Sequence, residues 1–277
     1  MEVNDVLIEV NGVSLAYDQS EPVLHDISFS VKPGELYCLM GPNGCGKSTL
    51  INSIMGIHNP SAGNILVEGR EISTYKPKDL ARIIAYVPQS HQLTFPYTVE
   101  QVVLMGRNPY TRSMTGPGEE DSEIIARVLD ETGISHLADR PYTMISGGEM
   151  QLVMLARALV QQTPVIVMDE PSAHLDFRNE MIFLENAAGL VRDSSTAVII
   201  ATHSPNHAFF FERKGISTEV LAICGKTLKF RGQPSEVLTE ENIMEIYGVR
   251  SKILQGNDVE EGTVRQIVPL DVVRSSS

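Results

Sequence analysis

Apolar positions along this chain change period several times, and the changes divide it into regions. Short apolar or alternating runs fall at residues 6–10, 13–17, 27–31, 36–40, 64–67 and 83–87, with Lys32-Pro33-Gly34-Glu35 as a turn. Their length and β-branched content predict strands. A helical pattern over 49–57 follows the fourth of them. From about 90 to 162 the period becomes that of helices, at 99–105, 120–132 and 147–162, around a polar Gly/Pro-containing stretch, 108–118. Strand and helix then alternate again: a strand at 165–168, a helix at 179–191 and a strand at 197–202. A hairpin pairing 220–223 with 228–230 follows, then a helix over 234–247. This order predicts an α/β core interrupted by a helical lobe. Residues 251–277 carry no interpretable motif, and no internal repeat occurs.

The chain has 277 residues, 42% of them hydrophobic, enough for one sizeable core or a core with an inserted lobe. Its formal charge of −13 argues against a general nucleic-acid binder. No apolar run approaches the ~20 residues of a membrane-spanning helix. The opening Met1-Glu2-Val3-Asn4-Asp5 is acidic and reads as no signal peptide. Cys38, Cys45 and Cys224 form no metal-ligand or disulfide pattern. Cys45 stands apart from the others because it lies in a glycine-rich loop.

That loop, Gly41-Pro42-Asn43-Gly44-Cys45-Gly46-Lys47-Ser48-Thr49, matches G-x-x-x-x-G-K-S between a strand and a helix. Its glycines let backbone N–H groups turn toward phosphates, and the helix N-terminus adds a favourable dipole. Lys47 is expected to neutralise β- and γ-phosphate charge, and Ser48 to ligate Mg²⁺. The strand 165–168 runs into Asp169-Glu170, at the sheet edge where α/β proteins bind ligands. Asp169 is expected to hold Mg²⁺ and Glu170 to act as general base toward water. Ser146-Gly147-Gly148-Glu149 forms an S-x-x-E capping box for the helix behind it. Two consecutive glycines weaken a helix, a cost that close approach of the backbone to an anion would explain.

Taken together, Gly41–Thr49, Ile145–Gln151, Val165–Glu170 and Ser172–Asp176 resemble, in order and spacing, the ATP-binding cassette (ABC) ATPases. The resemblance spans roughly residues 6–250. It implies a P-loop NTPase fold of ABC type, with an N-terminal antiparallel β subdomain and an inserted helical lobe. The implied domain is 1–250 (core 1–89 and 163–250, lobe about 90–162), followed by an extension over 251–277. It also brings in three residues that the pattern alone leaves as ordinary: Tyr17 as the adenine-stacking aromatic, Gln89 as the Q-loop glutamine that reaches Mg²⁺, and His203 as the switch histidine at the γ-phosphate. Ser146, Gly147, Gly148 and Glu149 become the signature, which contacts ATP held by a second copy; Ser146 and Gly148 are the expected contacts. His203-x-x-x-His207 has a zinc-like spacing, but Pro205 and the lack of nearby Cys or acidic partners speak against zinc.

Two stretches, Tyr97–Tyr110 and Gly232–Thr239 continuing to Tyr247-Gly248-Val249, resemble the importer ATPases for iron-siderophores, haem and cobalamin, a group that includes oxyanion importers. The implied protein is a homodimeric, ATP- and Mg²⁺-dependent motor at the cytoplasmic face of a membrane. It would be bound to permease subunits and, through them, to a substrate-binding protein. Val99, Val102 and Val103, with Arg107, are the expected docking patch for a permease helix. Ile145 and Met150 replace the usual Leu and Arg of the signature, Ser204 replaces the usual Asp after the switch histidine, and 209–219 lacks the usual acidic run. The alternative left open is a soluble ABC ATPase, such as an iron–sulfur assembly factor.

Overall fold

A computed structural model describes residues 6–16, 21–89, 95–110, 118–173, 175–258 and 262–273. The first part of the chain forms β1 (Ile8–Leu15), β2 (Leu24–Val31), β3 (Leu36–Met40), α1 (Lys47–Ile54), β4 (Ala62–Val67), β5 (Arg70–Glu71), α2 (Pro77–Leu80) and β6 (Ile84–Val87). The lobe contributes α3 (Val99–Leu104), α4 (Glu119–Glu131) and α5 (Gly147–Leu159). The core resumes with β7 (Val165–Asp169), α6 (Phe177–Ser194), β8 (Ala197–Ala201), α7 (Asn206–Arg213), β9 (Thr218–Cys224) and β10 (Thr227–Gly232). The chain then forms α8 (Pro234–Val237), α9 (Glu240–Tyr247), β11 (Val249–Asp258) and β12 (Gly262–Val272).

Two sheets organise these elements. The antiparallel one runs β2-β1-β4-β5, and the larger one β10-β9-β3-β8-β7-β6, parallel except for β10. Strands β3, β7 and β8 are buried at every position, as in a parallel sheet covered on both faces. The period of two then sorts their side chains. Leu36, Cys38 and Met40 join the core shared with the helices, while Tyr37 and Leu39 join the core shared with α1 and the antiparallel sheet.

The structure departs from the sequence expectation in several elements, and β5, α2 and α7 fall where none is expected. Residues 6–10 and 13–17, read as two strands, contribute to the single strand β1, whose pairing register shifts between Val10 and Val13, where Gly12 sits at φ 59. The helix expected over 234–247 is broken at Leu238, and Thr239 caps α9 by accepting from Asn242 N–H. The uninterpreted tail is a long hairpin, β11–β12. Mostly exposed, it contacts the body through Ser251, Ile253 and Ile267, so no apolar alternation marks it.

The expected docking patch is also corrected. Val99, Val102 and Val103 are fully buried in the lobe's core, because α3 turns its apolar stripe onto α5 and α4. Arg107 is buried with them. Its Nε bonds Asp121 at 2.7 Å, its Nη1 bonds the Val160 carbonyl at 2.9 Å, and its guanidinium lies 4.3 Å from the Tyr110 ring centroid. The Arg107 hydrogen bond holds the Asp121 carboxyl below the usual carboxylate range. Gly106 explains how close these pieces come: a Cβ there would lie 2.1 Å from the Arg157 carbonyl oxygen.

Val102→Glu is therefore a folding variant. A carboxylate replacing this buried side chain has no partner, at a cost of about 3–5 kcal/mol. Denaturant unfolding should show a destabilised or unfolded chain, with nucleotide binding lost along with the fold.

Candidate active site

The parallel sheet sends its loops to one edge, and the candidate residues follow from the strand ends. After β3, the chain turns through Gly41 to Gly46, where Gly44 and Gly46 adopt φ 78 and 105, the left-handed region that glycine enters without strain. Gly46 caps α1 without a side-chain hydrogen bond, and no acid lies in the first turn. A helix start with neither a side-chain cap nor an acid suits an anion. A cleft of about 450 Å³ opens here, lined by Asn43, Gly44, Lys47, Ser48, Gln89 and Glu170, among others.

Lys47 is almost buried. Its ammonium donates to the Gly41 carbonyl at 2.9 Å and lies 3.4 Å from Glu170 Oε1. The other Glu170 oxygen accepts from Gln89 Nε2 at 3.1 Å. Glu170 holds φ 45, an uncommon conformation for a residue with a side chain, just past the end of β7. Its N–H is fixed by the Ala201 carbonyl at 3.0 Å.

Asp169, its neighbour, is buried, and its Oδ1 has no hydrogen-bond partner. Burial raises its carboxyl above the usual range, against a hydrogen bond from Ser48 that lowers it. A desolvated carboxylate oxygen with no donor, beside a hydroxyl at the mouth of an anion site, has the chemistry of a hard-cation ligand. The residues present fit Mg²⁺. Cys45 is half-buried, and burial raises its thiol above the ordinary value despite the Lys47 charge. It is not poised as a thiolate.

The signature lies apart from this cleft. Ser146 and Glu149 form the full capping box: Glu149 Oε2 accepts from Ser146 N–H and hydroxyl, both at 2.7 Å, and Glu149 N–H donates to Ser146 Oγ. These bonds lower the Glu149 carboxyl. The two glycines have different surroundings. A Cβ on Gly148 would meet Asn179 Nδ2 at 2.4 Å, so packing within the chain accounts for that glycine. A Cβ on exposed Gly147 would meet nothing within 4 Å, so no contact within the chain requires it to be glycine.

Asp176 caps α6 by accepting from Asn179 N–H at 2.8 Å. His203 follows β8, is exposed, and lines a neighbouring cavity with Glu180, Tyr247 and Ser251. Thus the chain brings Lys47, Ser48, Asp169, Glu170 and Gln89 together, puts His203 on the loop after β8 in a separate cavity, and keeps Ser146–Glu149 elsewhere. Tyr17 and His174 lie outside the described residues. Sequence reasoning missed Gln151, whose Nε2 donates to the Pro88 carbonyl and ties α5 to the Gln89 segment. It also missed the partners of His207, Glu180 and Thr202, which come from separate elements. Neither set is marked by spacing. Among the described residues no cluster of three or more His, Cys, Asp or Glu could hold a metal.

A family profile described as ABC transporter matches residues 24–173. The chain is 36% identical over 225 residues to the hemin import ATP-binding protein HmuV of Nocardia farcinica, covering 81% of this chain and 75% of that protein. It is 30% identical to the molybdate import ATP-binding protein MolC of Haemophilus influenzae, covering 87% of each. Among solved structures, an inward-facing ABC transporter described as of metal-chelate type superposes with a TM-score of 0.83 at 29% identity, covering 96% of this chain and 98% of that one. The chain belongs to the ATP-binding, ATP-hydrolysing subunits of ABC transporters and is related to those of metal-chelate importers.

Proposed function

We propose that two copies of this chain, each with Mg²⁺-ATP on its phosphate loop and its signature over the partner's nucleotide, drive uptake of a metal chelate through membrane permeases at the cytoplasmic face. The ATPase domain is residues 1–250, and 251–277 is an appendage. The observation that carries the hydrolytic part is the position of Glu170, at the mouth of the phosphate cleft between Lys47 and Gln89. Phosphate oxygens compete with Glu170 for the Lys47 ammonium, leaving Glu170 to accept a proton from the attacking water. Gln89 orients that carboxylate, and His203 meets the γ-phosphate from the β8 loop. Ser48, Asp169 and Gln89 would hold Mg²⁺, which supplies charge neutralisation at the β- and γ-oxygens. Adenine stacking falls to Tyr17. The hemin and metal-chelate relatives support this cargo class, the molybdate relative keeps an oxyanion as the second reading, and a substrate-binding protein would deliver the cargo.

Among the described residues no helix is long and apolar enough to cross a membrane, and this reading assigns the transport path to the permease subunits. With Val99, Val102 and Val103 in the core, the docking surface shifts to exposed apolar residues just before α3. Phe95 is 65% exposed and Tyr97 39%, with their rings 6.0 Å apart. The Tyr97 carbonyl accepts from Tyr142 N–H, on the segment that bears Met144, 75% exposed. Along the chain its residues come after Gln89 and just ahead of the signature. It favours a permease-bound motor over a free-standing ATPase.

Glu170→Gln should bind ATP and lose turnover by about 10²–10⁴-fold, accumulating an ATP-bound dimer on size exclusion. Near-normal phosphate release would remove Glu170 as the base. Ser146→Arg should retain ATP binding by the monomer and block dimer formation. Mixed with Lys47→Ala, it should leave at most one intact composite site per heterodimer. Loss of binding by the Ser146→Arg monomer would defeat the sandwich. Tyr97→Glu should fold, hydrolyse ATP, and fail to co-purify with its permease or support uptake by reconstituted vesicles. Full uptake would place docking elsewhere.

A further inference from the structure

His207, in the first turn of α7, lies four residues after His203, but its surroundings are different. It is 5% exposed and held at both ring nitrogens. Nδ1 lies 2.8 Å from Thr202 Oγ1, and Nε2 lies 2.8 Å from Glu180 Oε1. Thr202 Oγ1 already accepts from Ser204 N–H at 3.0 Å. A carboxylate only accepts, so Nε2 carries the proton donated to Glu180, and in the neutral ring Nδ1 accepts from the Thr202 hydroxyl. Burial lowers the imidazole's pKa, against the Glu180 hydrogen bond that raises it, so the neutral ring suits the site.

The two ends of this chain of bonds are what matter. Thr202 and Ser204 flank His203, so the bonds brace the loop that carries it. Glu180 stands in the first turn of α6, the turn capped by Asp176, where Asn179 packs against Gly148 of the signature. One helical turn therefore touches the signature on one side and the switch loop on the other. Without the imidazole, the Thr202 hydroxyl has only the Ser204 carbonyl, at 3.5 Å, to donate to.

We infer that His207 is a positioning residue for hydrolysis, holding the His203 loop against the first turn of α6 through Thr202 and Glu180, so that seating of the signature helix is felt at the switch histidine. The inference rests on the assignment of His203 to the γ-phosphate. Displacing a reacting contact by about 1 Å can cost about 10²-fold in rate, so a slack switch loop lowers kcat without weakening ATP binding.

The test is steady-state ATP hydrolysis by the purified full chain, as a function of ATP concentration, for Glu180→Ala, His207→Leu, His207→Gln and His203→Ala. Glu180 is partly exposed, so Glu180→Ala probes the brace with little effect on folding. Glu180→Ala and His207→Leu should lower kcat about tenfold or more with KM for ATP within about twofold. His207→Gln, whose amide can accept from Thr202 and donate to Glu180, should restore kcat to within about threefold of the parent. An unchanged kcat in Glu180→Ala while His203→Ala is inactive would overturn the brace and leave the switch assignment standing. Parental turnover by His203→Ala would overturn the switch assignment itself. A loss in His207→Leu that Gln does not relieve, or that appears equally in KM, would reduce His207 to a packing residue.

Discussion

Everything in this site depends on the parallel register of β3, β8, β7 and β6, which lie side by side in that order. Because parallel strands all end at one edge, the loops that follow them must open there together. The phosphate loop leaves β3, His203 follows β8, Asp169 and Glu170 close β7, and Gln89 follows β6. Four segments far apart in sequence become neighbours without any loop reaching far. The sheet can hold that edge rigidly because its central strands are buried on both faces, between helices on one side and α1 with the antiparallel sheet on the other. Rigidity of this kind allows a reacting geometry to be set by backbone rather than by side-chain freedom.

At that edge the protein holds an arrangement that is costly in isolation. A nearly buried ammonium, a desolvated aspartate with an oxygen lacking any donor, and a glutamate at φ 45 share a small volume. Burial of Asp169 disfavours its charged form, and its Glu170 neighbour disfavours it further. A bound nucleotide with its cation would relieve both, by giving Lys47 an anion and Asp169 a positive charge. Strain kept in the absence of ligand in this way is a form of preorganisation, and the surrounding sheet is what sustains it.

What was legible in the sequence was what depends on local chemistry. Gly41–Thr49 fixes a loop and helix start through its own glycines and lysine, and the apolar run 165–168 ends at Asp169-Glu170 whatever packs around it. The Ser146–Glu149 box could be read for the same reason, since a cap is made within four residues. The valine stripe of α3 was misread because periodicity gives an apolar face but not the direction it faces. The hairpin β11–β12 escaped because a mostly exposed hairpin leaves no alternation to see. Gly147 and Gly148 look alike in sequence, and only the position of Asn179 distinguishes the glycine needed for packing within the chain from the one facing open space. The bonds of His207 join residues from β8, α7 and α6, and pairings across elements have no sequence period at all.

The lobe is joined to this edge by few but directional contacts, which limits how it can move. Helix α5 carries the signature at its start. Less than two turns in, Gln151 bonds the carbonyl of Pro88, next to Gln89. At its far end the Val160 carbonyl accepts from Arg107, while Arg157 and Val160 press on Gly106. Helices α3, α4 and α5 are thus clasped into one unit, and deformation inside it would break buried polar bonds or open a close-packed contact. If a permease docks at Phe95–Tyr97, a displacement there would meet a unit with little room to deform. It would then pass along α5 as a shift of the whole helix, and α5 meets the core at two places where such a shift would be felt: the Pro88 carbonyl next to Gln89, and the first turn of α6 beside Gly148.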